Sequence, residues 1–126
     1  MIAFRHRLRV RYGETDRMGV AHHASYVGWL EVTRTEWLRA RGKTYRQMED
    51  EGSLLQVVEL QVAYLRRVTF DDEIEVSLGE VERGPASITL GYELRQPGLA
   101  APFATARTRL ACVGKDGRIR RLPKEI

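Results

Sequence analysis

The chain has one cysteine, Cys112, among its 126 residues, so no internal disulfide can form. Histidines number three, two of them adjacent. Neighbouring His22 and His23 do not converge well on one ion, and no cysteine or close carboxylate pattern completes a zinc set. No apolar stretch approaches the ~20 residues that a membrane helix needs. Low-complexity segments, long linkers and internal repeats are absent. The start, Met1 to Arg11, carries four arginines and no continuous apolar core, so a secretory signal is not expected and the cytoplasm is the expected location. Neither sign of charge dominates: the net charge is +4 and the pI near 9.6, which suits an anionic partner without identifying one.

What is present is a hydrophobic fraction of 43%, ordinary for a globular protein, in a length that predicts one domain over residues 1–126. A chain this size buries roughly two thirds of its unfolded surface, enough for a core. From Phe4 to Tyr12 the pattern alternates. Phe4, His6, Leu8, Val10 and Tyr12 take one side, and Arg5, Arg7, Arg9 and Arg11 the other. Period two predicts a half-buried strand. From about Ala24 to Arg41 the period changes. Tyr26, Trp29, Leu30, Thr33 and Trp37 form one helical face, with Glu31, Arg34, Thr35 and Arg39 opposite and Gly42 as a stop. Residues 44–52 suit a further short helical turn. Strands are then predicted over Leu54–Arg66, with a slip at Val57-Val58 that suits a bulge, around Ile74, Val76 and Leu78, over Ala86–Leu94 and over Phe103–Val113. Arg83-Gly84-Pro85 and Gln96-Pro97-Gly98 read as breaks, and Lys115-Asp116-Gly117 turns into a basic tail. Strand, long helix, then four strands favours an α+β fold with a largely antiparallel sheet and the helix across its apolar face.

The chemistry concentrates between the first strand and the helix, in Tyr12-Gly-Glu-Thr-Asp-Arg-Met-Gly-Val-Ala-His-His-Ala-Ser-Tyr26. A carboxylate, two glycines and a histidine meet there, where a helix N-terminus supplies partial positive charge. On residue type alone Asp16 serves equally as a turn or capping residue. Glu14 suits a solvated or salt-bridged role better than a partnership with Asp16. His23 is either site-lining or polar packing at the helix start. Gly19 is either a turn glycine or a point where a ligand passes close to the backbone. Ser25 lacks the Gly-x-Ser-x-Gly elbow of a nucleophile, and Cys112 sits in a strand with no base near it in sequence. The aromatic stripe including Tyr26 is core, part of which is able to line a pocket. The arginine stripe at 5, 7, 9 and 11 faces away from the aromatics, so it makes no stacking platform for nucleic acid, and Glu73 and Glu75 offer it cross-strand partners.

The run Arg9 to Tyr26, followed by Glu31 and Arg34, resembles the 4-hydroxybenzoyl-CoA thioesterase-like branch of the hot-dog superfamily. Tyr64, Asp72 and Arg121-Leu122-Pro123 are weaker echoes. The resemblance implies a long helix wrapped by a curved, five-stranded, largely antiparallel sheet. It implies acyl-CoA hydrolysis without metal or cofactor, with Asp16 as nucleophile or general base and His23 at the site. Backbone donors from Gly19 to Ala24, Val20 among them, are expected at the oxyanion. It further implies a homodimer, with pairing into a homotetramer, interfacial sites and Leu54–Arg66 as the dimer edge. For the CoA phosphates the candidate cations are Arg66, Arg67, Arg83 and Arg121. The rivals are a hydroxyacyl-thioester dehydratase, a non-catalytic acyl-CoA-binding protein and a nucleic-acid-binding module.

Overall fold

The computed structural model describes residues 4–126; Met1, Ile2 and Ala3 lie outside the described residues. Strand β1 (Phe4–Arg9) leads through a 3-10 turn (Tyr12–Glu14) to helix α1 (Ser25–Ala40) and a short helix α2 (Tyr45–Asp50). Strands β2 (Leu54–Tyr64), β3 (Glu73–Arg83), β4 (Ser87–Arg95) and β5 (Ala104–Val113) follow. Every pairing is antiparallel and the order across the sheet is β1-β3-β4-β5-β2, so β1 and β2 are the two edges. No helix among the described residues is long and apolar enough to cross a membrane.

The inward residues of β3 and β4, Ile74, Val76, Leu78, Ile88, Leu90 and Leu94, meet Trp29, Leu30, Trp37 and Leu38 of α1 in one core. The helix is 16 residues long, about 24 Å at 1.5 Å per residue. Thr44 caps α2 through a reciprocal capping box with Gln47. Arg7 pairs with Glu75 at 3.1 Å and Arg9 with Glu73 at 3.8 Å, the cross-strand partners expected of the arginine stripe. These pairs are exposed, worth about 0–1 kcal/mol each. The slip at Val57-Val58 is a register shift in the β2–β5 ladder, and a second lies in β3 between Glu80 and Glu82.

Four expectations are corrected. Strand β1 stops at Arg9 instead of Tyr12: Val10 is captured by Asp71 and Asp72 backbone groups, and Tyr12, 78% exposed, turns out to solvent. Arg83 is not a turn residue but the last residue of β3. Arg34 is not on the polar face of α1. It lies between Leu30 and Leu38 in the row of i±4 neighbours and is buried with them. The sheet is not strongly curled around the helix, because α1 lies nearest β1 and β3 and leaves β2 largely open on both faces.

The buried Arg34 has no carboxylate partner among the described residues. Its Nη1 donates to the Tyr92 hydroxyl at 3.3 Å, which shares a 2.7 Å hydrogen bond with Thr108, and its Nε has no partner among the described residues. Burial opposes the guanidinium charge, but the phenols of Tyr92 and Tyr45 outweigh it and the pKa moves up. Burial pushes both phenols up as well, so the cluster is a cation among neutral hydroxyls.

Candidate active site

The segment from Val10 to Ala24 is a loop clamped at several points. Val10 donates to Asp72 O at 3.0 Å and accepts from Asp71 N at 2.9 Å, which ties the end of β1 to the start of β3. Asp71 takes a φ of 69°, in a left-handed region that Asp tolerates better than most residues. Farther along, Thr15 bridges Ala21 and Val20 bridges Thr69, while Ala21 N donates to Val68 O at 2.8 Å. The loop therefore lies beside residues 68–69, just past Arg66 and Arg67.

Asp16 begins the tight turn at the loop's tip. Its carbonyl accepts from Gly19 N at 3.0 Å, its Oδ1 accepts from Met18 N at 2.8 Å, and its own N–H donates to Val20 O at 2.9 Å. Gly19 has a φ of 81°, the conformation that asks for glycine, and a Cβ there would meet nothing within 4 Å of its own chain. The second Asp16 carboxylate oxygen has no partner among the described residues, and the side chain is exposed. The turn role weighed for Asp16 is thus observed. It occupies one oxygen and leaves the other open to a substrate or water.

Glu14 holds this loop against the helix. Its side chain is 14% exposed; Oε2 accepts from Trp29 Nε1 at 3.0 Å and from Arg11 Nη2 at 3.2 Å, and Oε1 from Arg11 N at 2.7 Å. Its carbonyl accepts from His22 N at 2.8 Å and from Ser25 Oγ at 2.9 Å. A salt-bridged role for Glu14 was expected without a named partner, which the structure gives as Arg11; the bond to Trp29, 15 residues on, has no local signal.

His22 and His23 stack at 4.2 Å with 28° between rings, so they do not converge on a common point. His23 is exposed, and its carbonyl accepts from the Tyr64 hydroxyl at 2.9 Å. Tyr26 is 3% exposed, packed on Trp29, Tyr64 and Phe103. Burial, then the neighbouring Tyr64, raises its phenol pKa. Tyr64 in this cluster carried only a faint signal in the sequence.

The four arginines divide. Arg66 donates to Ala101 O at 3.0 Å, and Arg67 is exposed; both sit at the Asp16 end. Arg83 forms an ion pair with Glu80 at 2.7 Å and donates to Ile126 O at 2.7 Å. Arg121 is exposed in the tail, where Leu122 N donates to Pro85 O. Strand β3 separates these ends: 11 residues from Glu73 to Arg83, about 33 Å at 3.3 Å per residue. One chain therefore brings together Asp16, Gly19, Val20, His23, Tyr26, Arg66 and Arg67, and places Arg83 and Arg121 at the far end. A cleft of about 470 Å³ bordered by Arg83, Arg107 and Arg109 lies on the sheet away from the loop.

A strand-to-helix loop with an open carboxylate, on a five-stranded antiparallel sheet with one long helix, defines the class. The family model described as the thioesterase-like superfamily matches residues 10–126, and the chain belongs to that family. Acyl-CoA thioesterase YbgC of Haemophilus influenzae is 32% identical over 120 residues, 94% of this chain and 88% of that protein. Among solved structures, a hypothetical protein of Aquifex aeolicus superposes with a TM-score of 0.92 at 32% identity, covering 98% of this chain and 95% of that one. A DHNA-CoA thioesterase of Staphylococcus aureus superposes with a TM-score of 0.88 at 28% identity, covering 94% and 79%. The hot-dog fold of the thioesterase structures is the fold of this chain.

Proposed function

We propose that this protein is a cytoplasmic acyl-CoA thioesterase, hydrolysing an acyl-CoA to the free acid and CoA. The observation that carries the proposal is the exposed Asp16 carboxylate, with one oxygen fixed by Met18 N and the other without a partner among the described residues. A thioester carbonyl is a good electrophile, so a carboxylate that takes a proton from attacking water is sufficient general base. In that route water adds to the carbonyl carbon, the C–S bond breaks, and CoA leaves as a thiolate that recovers a proton. Direct attack by Asp16 through a mixed anhydride gives the same products after hydrolysis. Of the backbone N–H groups from Gly19 to Ala24, those of Val20 and His23 have no acceptor among the described residues and supply the oxyanion donors, and the His23 side chain lines the mouth.

The working unit is a homodimer joined through the open edge of β2, with pairing of dimers into a tetramer. Arg66 and Arg67 meet the CoA phosphates from the same chain as Asp16. Arg83 and Arg121, about 33 Å away along β3, meet them from a second copy. Release of free thiol from a panel of aliphatic and aromatic acyl-CoAs tests the activity, in the presence of chelator as well as without it. Turnover unaffected by chelator is expected. Tight binding of acyl-CoA with no turnover anywhere on the panel overturns the proposal in favour of a non-catalytic binding protein.

A further inference from the structure

Helix α1 begins without the usual device. Its N-cap is Ala24, which has no side-chain acceptor for the first-turn amides. The peptide unit joining His23 to Ala24 is instead gripped by two side chains from outside the helix. Its N–H donates to His22 Nδ1 at 3.0 Å, and its carbonyl accepts from the Tyr64 hydroxyl at 2.9 Å.

Tyr64 is well placed to grip. It ends β2, opposite Ala104 of β5, and the two amides after it, Leu65 N and Arg66 N, both donate to Phe103 O at 2.9 and 3.0 Å. Its ring stands edge-on to the buried Tyr26 at 4.8 Å. In the single chain Tyr64 is nonetheless 48% exposed. The hydroxyl spans 41 residues to reach a carbonyl at the start of the helix.

We infer that Tyr64 is a positioning residue of the thioesterase site: it sets the His23–Ala24 peptide, and with it the first turn of α1, against the Asp16 loop. The inference rests on the proposed activity, since the oxyanion donors are placed in the loop that runs through His23 into that turn. Tyr64 touches no reacting atom in this role. The bond matters most when the donors must meet the developing charge, so its loss shows in kcat more than in KM.

The test compares wild type, Tyr64→Phe and Tyr64→Ala by steady-state thiol release and by hydrogen exchange of the intact protein. Tyr64→Phe keeps the ring and deletes only the donor. It is expected to lower kcat about 10-fold, the kinetic equivalent of one hydrogen bond, with KM within about 2-fold. Exchange should quicken in residues 22–28 and nowhere else. Tyr64→Ala should lower kcat at least as far and also lower the melting temperature. Wild-type kcat in Tyr64→Phe overturns the inference, and so does faster exchange with unchanged kcat, which would leave Tyr64 merely structural. A change confined to KM overturns it too. Wild-type protein inert on every acyl-CoA instead fails the thioesterase proposal and removes this role with it.

Discussion

Asp16 stabilises its own turn through one carboxylate oxygen, so its removal touches both folding and chemistry. The two effects are separable. Asp16→Ala is expected to lower kcat by ~10²–10⁴-fold, the scale of a positioned acid–base group. Asp16→Asn keeps the acceptor for Met18 N and should keep wild-type stability while losing comparable activity. Folded, near-wild-type turnover in either variant removes Asp16 from the mechanism. Glu14 is the contrasting residue, with contacts that are all internal. Glu14→Ala leaves the Trp29 indole N–H without its acceptor and frees Arg11. A loss of about 1–3 kcal/mol in urea unfolding is expected, the usual cost of orphaning a part-buried donor. Unchanged stability would mean that the loop is held by its backbone bridges alone.

At the scale of elements, α1 carries the least expected feature, the buried Arg34. A cation buried without a carboxylate contributes little net stability, since desolvation offsets its hydrogen bonds. The Tyr92 hydroxyl keeps Thr108 as a partner if the guanidinium goes. Arg34→Met, apolar and of similar length, should therefore unfold within about 1 kcal/mol of wild type, whereas Arg34→Ala should cost about 2–3 kcal/mol through the void it opens. A loss in Arg34→Met as large as that in Arg34→Ala would show that the guanidinium's hydrogen bonds are needed. Helical periodicity had placed Arg34 opposite the apolar stripe because of its charge. Its angular position between Leu30 and Leu38 decided otherwise.

At the scale of the whole molecule, the long axis of β3 bears on how many chains make a site. If Asp16 and Arg83 serve one substrate, they come from different copies. Light scattering should then show a dimer or tetramer, and charge placed on the open edge, as in Leu60→Lys, should shift it toward monomer and lower activity. Complementation is the sharper measurement. Asp16→Ala and Arg83→Ala chains, unfolded and refolded together, should regain about a quarter of the wild-type sites at low acyl-CoA, because half the dimers are mixed and each carries one intact site. No recovery on mixing would place Arg83 outside the site. That result would agree with its engagement by Glu80 and Ile126 within one chain.

Local order was legible in the sequence wherever one face of an element meets the core. Alternation marked the strands, the 3.6-residue period marked α1, and the slip at Val57-Val58 marked its bulge, because burial imposes those periods directly on residue order. The Asp16 motif was legible because a tight turn and a helix start restrict residue type within a few positions. Tertiary structure alone decided the rest. The Glu14–Trp29 and Tyr64–His23 hydrogen bonds join residues 15 and 41 positions apart, and no short-range period encodes such a pairing. Likewise, only the strand order puts Arg66 and Arg67 at the Asp16 end and Arg83 and Arg121 at the other. Four arginines of equal charge look alike in a sequence, and where each sits is set by the packing of β3 between β1 and β4.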